Sequence, residues 1–160
     1  MLFQVGDKIA HPMHGAGVVE RIVTQKVNGV AREYYILKIP VGDMLVMVPT
    51  QNCAEIGVRA VVGRDEARQV LAAIPSIQVE MDANWNRRYR ENMLRLKSGD
   101  LLEVARVVKC LLIREEARGL STGERKMLHS AKQILLSELV LAQSITYEEA
   151  ETRMFSALHE

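Results

Sequence analysis

Absences narrow the reading of this 160-residue chain before any motif does. It has two cysteines, Cys53 and Cys110, far apart and in no CxxC pairing. That argues for two reduced, partly buried thiols over a disulfide or a thiolate metal site. No apolar run approaches the roughly 18 residues that a membrane crossing needs, and MLFQVGDKIA lacks the basic and long-apolar regions of a signal peptide. A cytoplasmic location with no membrane partner is therefore expected. GxGxxG, GxxxxGK[ST], GxSxG and HExxH are all missing, so neither an enzyme, a small-molecule substrate nor a cofactor is expected. Aromatic residues make up only 4% of the chain, with a single tryptophan.

What is present suits a globular protein able to bury a core, with 48% hydrophobic and 26% charged residues. The net charge of +1 hides segregation. Residues 84–98 carry five bases against one acid, a net of +4, and residues 136–160 carry one base against five acids, a net of −4. A local basic face is thus available to an anionic partner. Glutamates scattered along the helices read as ordinary solvated charge.

Two halves differ in period. From Phe3 to about Asn52 the pattern is β: VGDKIAHP, GAGVVERIVTQKV, VAREYYILKI and MLVMVP. Asn28-Gly29 between the second and third supplies the two positive φ angles of a type I′ hairpin turn. MLVMVP, apolar throughout, fits a strand buried on one face and covered on the other, and Pro49 closes it. The expectation is a small, bent antiparallel module over residues 1–52, marginal alone and leaning on the C-terminal part of the chain. Residues 53–62 read as a connector, and residues 63–160 as a five-helix domain, giving an α+β protein. Gly63 starts the first helix, and Pro75 with Ser76 ends it. Asn84 caps the next. Asp100 with Glu103, Ser121 with Glu124 and Thr146 with Glu149 have the spacing of capping boxes, and Gly119 fits a C-terminal stop. Leu128, Ala131, Ile134, Leu135 and Leu139 form an apolar helical stripe.

The candidate chemistry is sparse. His11 and His14 in AHPMHGAG are the one close histidine pair. They read as loop residues holding a tight strand-to-strand turn, with a metal- or nucleotide-dependent enzyme as the alternative. In NWNRRYRENMLRL, Asn84 caps the helix and Trp85 takes its first position. Trp85, Tyr89 and Leu96 fall within about 40° of one another around the helix, with Met93 at the edge. One reading makes Trp85 the first member of a buried stripe. The other notes its polar and cationic neighbours Asn84, Asn86, Arg87 and Arg88, its place in the first turn, and the affinity of a helix N-terminus for phosphate. These are the parts of a minor-groove wedge, an apolar ring beside cations that neutralise the DNA backbone. Arg125 and Lys126, in the first turns of the helix capped by Ser121, are either solvated charges or a second phosphate site.

The sequence resembles the CarD/CdnL family of bacterial transcription regulators over essentially its whole length. The segments that carry the likeness are VGDKIAHPMHGAGVVERI, EYYILKIPVGDMLVMVP, IGVRAVVG, NWNRRYRENMLRLKSGD and RGLSTGERKMLHSAKQILLSELVLA. The resemblance implies a Tudor-like N-terminal module that docks on the β subunit of bacterial RNA polymerase carrying its primary σ factor. It also implies a helical domain that touches promoter DNA, independently of sequence, and stabilises the open complex, which would associate the protein with the nucleoid. Trp85 would be the wedge, Arg87, Arg88 and Arg90 the basic cluster beside it, and Arg125 and Lys126 the second basic site. The polymerase-facing positions of relatives match Gln25 and Met47, neither of them charged here. Docking would then rest on a strand edge near Val46 to Val48, or on charge from Arg21, Lys26 or Arg32. The module also occurs in the transcription-repair coupling factor, a large helicase that this chain has neither the length nor the phosphate loop to be. A protein-only scaffold linking polymerase to a σ factor or another regulator, with Trp85 in the core, is the alternative function.

Overall fold

The computed structural model describes residues 2–80 and 82–160, so the expected start of the first domain at Met1 lies outside the described residues. Strands β1 (Lys8–His11), β2 (Gly15–Val27), β3 (Val30–Ile39) and β4 (Met44–Pro49) form an antiparallel meander in chain order. Asn28 and Gly29 take φ angles of 53° and 79°, as the β2–β3 turn requires. An irregularity between Val19 and Arg21 adds a residue to β2, and such bulges bend and twist a sheet. Gly17 lets β2 lie close on β3, since a Cβ there would stand 2.5 Å from the Lys38 carbonyl oxygen.

The expected connector is part of the module. A short helix α1 (Cys53–Ile56) leads to β5 (Arg59–Ala60), which pairs with β1 and completes the order β4-β3-β2-β1-β5. Ile9, Val19, Tyr35, Leu37, Ile39, Val48, Cys53 and Val58 form the sheet's own core. Cys53 and Val58 from the connector stretch fill that core, which is why the segment is ordered against the sheet.

Five helices come after β5: α2 (Arg64–Ala73), α3 (Trp85–Lys97), α4 (Leu101–Arg118), α5 (Thr122–Gln143) and α6 (Tyr147–Leu158). The capping residues act where the spacing predicts, but only one of the three expected boxes is reciprocal. Thr146 and Glu149 make the full reciprocal box, and Ser121 Oγ accepts from the Glu124 amide. Asp100 instead accepts from Leu102, and the Glu103 carboxylate turns outward to Arg95 and Arg106 at 3.7 and 3.4 Å. After α2 a 3₁₀ turn (Ile74–Ser76) ends the segment, and Lys109 Nζ gathers its carbonyls, donating to those of Ile74, Pro75 and Ile77. The interior is built from the stripes of α4 and α5, with α2, α3 and α6 packed around them.

α5 joins the halves. Ser137 Oγ accepts from the Ala16 amide at 2.9 Å, and a Cβ on Gly15 would come within 2.6 Å of that oxygen. Arg59 binds both oxygens of Glu138 at 2.6 and 2.8 Å and donates to the Gly99 carbonyl, and Glu138 also accepts from the Val62 amide. Glu138 is buried, so it is not one of the solvated charges that the sequence suggests. Its cost of desolvation is offset by three hydrogen bonds to its carboxylate. No helix among the described residues is long and apolar enough to cross a membrane.

Candidate functional site

Two surfaces collect the residues singled out from sequence. The first is the corner where α3 and α5 both begin. Asn84 Oδ1 accepts from the Arg87 amide at 3.1 Å, fixing Trp85 as the first helical residue. The indole is not core: it is 42% exposed. Its inner face stacks on Tyr89 with ring centroids 5.0 Å apart and planes 18° from parallel. Its Nε1 donates to Ser121 Oγ, the N-cap of α5, at 3.0 Å. Gly123 forms the floor beneath, where a Cβ would stand 3.5 Å from Trp85 Cζ2 and 3.7 Å from Tyr89 Cε2. Beyond the ring runs a groove of about 370 Å³ lined by Trp85, Tyr89, Met93 and the exposed Leu94, with Arg90 and Lys97 on its rim.

Arg87, Arg90, Arg125 and Lys126 all lie exposed around this corner. Arg87 lies 3.9 Å from Asp82, and Arg125 reaches Thr122 Oγ1 at 3.4 Å, both weak surface contacts. Arg88 is a correction. Only 3% of it is exposed, and its guanidinium points inward, where Nε and one terminal nitrogen donate to Glu124 at 2.9 and 3.2 Å. The other terminal nitrogen donates to the Asp82 and Ala83 carbonyls. Glu124, expected from its spacing to be the capping-box partner of Ser121, is likewise buried and also has Arg114 at 3.7 Å. Hydrogen bonding from Arg88 holds the Glu124 carboxyl below the ordinary carboxylate range, against the opposing effect of burial. The pair ties the first turn of α3 to the first turn of α5. Two helix N-termini, each with unpaired N–H groups and the positive end of a dipole, are thus held together around one indole.

The second surface is the outer face of the sheet. Directly opposed residues of an antiparallel pair share a face, so the register places Arg21, Ile36 and Met47 in one row and Val23, Tyr34 and Pro49 in another. Gln25 opposes Arg32, and Lys38 opposes Leu45, on the same side. Leu45 and Met47 are 56% and 43% exposed, so MLVMVP is a bare edge strand rather than one covered on both faces. Val46 and Val48 belong to the opposite face, where Val48 is buried, so their side chains are removed from the candidate docking set. Lys26, one residue from Gln25, also points to that opposite side. Sequence alternation could have divided the two faces, but the apolar run of β4 hides its period.

The histidine pair belongs to neither surface. The His11 and His14 rings are 4.5 Å apart, and His11 Nδ1 accepts from the Met13 amide at 3.0 Å, which requires a neutral ring. Burial, and then the neighbouring His14, lower the His11 pKa from 6.5 to about 4. Among the described residues no group of three or more His, Cys, Asp or Glu side chains is placed to hold a metal ion. Cys53 and Cys110 are free and buried.

The family models divide along the same lines as the structure. Residues 3–62 match the model of the CarD-like/TRCF RID domain, and residues 69–155 match that of the CarD C-terminal domain. The chain belongs to the CarD family. A relative from Bacillus subtilis (strain 168), named "Putative transcription factor YdeB", is 30% identical over 151 residues, covering 94% of this chain and 99% of that protein. Membership of the CarD family makes this a transcription-associated protein that interacts with RNA polymerase, built from transcription-regulator domains. The first family model ends at residue 62, so it includes β5 and the stretch read from sequence as a connector.

Proposed function

We propose that this protein docks on the β subunit of RNA polymerase through the outer face and β4 edge of its sheet, and stabilises the open promoter complex through Trp85. The observation that carries the reading is the solvent-facing indole, stacked on Tyr89 and ringed by Arg87, Arg90, Arg125 and Lys126 at two helix N-termini. The cations and helix ends suit phosphate oxygens on either side of a groove. The ring suits a base step already unstacked, as at the edge of melted DNA. Contacts to phosphate oxygens carry no base-edge information, so cations used in this way make the contact independent of sequence. Arg88 supports the site from inside rather than touching the backbone.

Tethering supplies what such contacts lack in strength. A protein held on polymerase sees promoter DNA at an effective concentration on the order of millimolar. The equilibrium then shifts by the difference in affinity for open and closed DNA, about tenfold for each 1.4 kcal/mol. Bare apolar side chains on the sheet, with Arg21, Arg32 and Lys38 among them, offer the tether. In competitor-challenged open complexes, Trp85→Ala should shorten the lifetime added by the protein about tenfold while leaving co-purification with polymerase intact. An unchanged lifetime would remove Trp85 from the mechanism.

A further inference from the structure

The Ser121 hydroxyl has one hydrogen to give and two lone pairs to receive. All three are taken. It accepts from Trp85 Nε1 at 3.0 Å and from the Glu124 amide at 3.2 Å, and it lies 3.3 Å from Glu124 Oε1, to which it can donate. Glu124 is in turn fixed by the buried Arg88 guanidinium, and Gly123 leaves the floor under the two aromatic rings flat. The indole N–H is a donor only, with no second hydrogen to offer. Once bonded to Ser121 it has nothing left for the acceptors that line a minor groove, adenine N3 and thymine O2.

We infer that Ser121 is a positioning and specificity-determining residue for Trp85. Its hydroxyl sets the ring's orientation and consumes the ring's only hydrogen-bond donor, so that the part of Trp85 left in solvent is purely apolar and indifferent to base sequence. This rests on the reading of Trp85 as the DNA-contacting residue. It goes beyond that reading in saying why the contact is sequence-independent and which residue, itself needing no contact with DNA, makes it so.

The test is a double-mutant cycle in the full-length protein, combining Ser121→Ala with Trp85→Phe, which keeps an aromatic ring and removes the N–H. Open-complex lifetime is measured on promoters that differ only at the base pairs flanking the upstream edge of the melted region. Ser121→Ala alone should reduce the protein's effect on lifetime about fivefold, the size of one net hydrogen bond, and should create a preference among those promoters. In the Trp85→Phe background the same change should do neither, and Ser121→Thr, which keeps the hydroxyl and the helix cap, should restore the wild-type pattern. Equal losses in both backgrounds would show that Ser121 acts only as the cap of α5, and would overturn the proposal. Because Trp85 is the sole tryptophan, its fluorescence anisotropy decay in the free protein gives a second readout that needs no DNA. Ser121→Ala should add fast local motion of the ring, and an unchanged decay would also overturn the proposal. If the ring loosens while Trp85→Ala leaves open-complex lifetime unchanged, Ser121 positions the ring but the DNA reading of Trp85 fails.

Discussion

The two candidate surfaces are built on opposite principles. On the sheet's outer face, Leu45 and Met47 lie bare because no described residue covers the edge strand β4, and the surface is apolar with scattered cations. At the α3–α5 corner the exposed ring is braced: stacked on Tyr89, bonded to Ser121, floored by Gly123, and anchored through the buried Arg88–Glu124 pair. The sheet face suits a partner that is itself a folded protein and brings a complementary apolar surface. The corner suits a partner that is flexible and charged, where the rigidity must come from this side. A site that props a deformable ligand has to be stiffer than the ligand, and a buried ion pair is one way to stiffen two helix ends.

The largest effect should come from breaking the brace. Glu124→Ala leaves the Arg88 guanidinium buried without its counter-charge, which typically costs about 3–5 kcal/mol. Chemical unfolding should register that loss, and Trp85 anisotropy should fall with it. A loss below about 1 kcal/mol would mean the corner is not held by this pair. The linkage has a definite sign. The folded-state pKa of Glu124 is depressed, so its contribution is present above the unfolded carboxylate pKa and disappears as pH falls through the folded value. Wild type and Glu124→Ala should therefore converge in stability at strongly acid pH.

On the sheet, Met47→Glu should do the reverse. Met47 is exposed, so stability should change little, while a charge set into an apolar contact should weaken polymerase binding about tenfold or more, near 1.4 kcal/mol. Undiminished co-purification would move the docking surface elsewhere. If both variants lost polymerase binding equally, the distinction between a bare face and a braced corner would fail.

The smallest effect concerns the turn between β1 and β2. His11 is neutral in the fold, with its pKa lowered to about 4 from 6.5. Protonation is taken up more readily by the unfolded chain, so stability should decline as pH drops from about 6.5 towards 4. The ring is only partly buried, so solvent should keep the decline modest. His11→Asn should flatten that part of the pH profile in thermal unfolding. An unaltered slope would assign it to other groups.

Much of the fold can be read along the chain because the responsible interactions are short. The Asn28-Gly29 turn, the Thr146–Glu149 box, the Asn84 cap and the stripe on α5 each depend on neighbours a few residues apart. Trp85 is legible in part: its polar and cationic surroundings argue for exposure, but the spacing of Tyr89 and Leu96 fits a buried ring equally well. Stretch 53–62 misleads because a two-residue strand has too little length to show a period, and only its pairing with β1 reveals it.

Local sequence settles where most elements begin and end, that basic residues cluster beside one tryptophan, and that the chain follows the CarD pattern. Which of those basic residues face water is settled by tertiary packing alone. Arg87 and Arg88 are adjacent and chemically identical, yet one is exposed and the other is buried against a glutamate 36 positions away. The same distance separates the indole from the serine that holds it. Caps and turns depend on hydrogen bonds within one turn of backbone, whereas these pairings exist only once α3 and α5 have packed, because that packing excludes water from the charges and brings the two helix starts into contact.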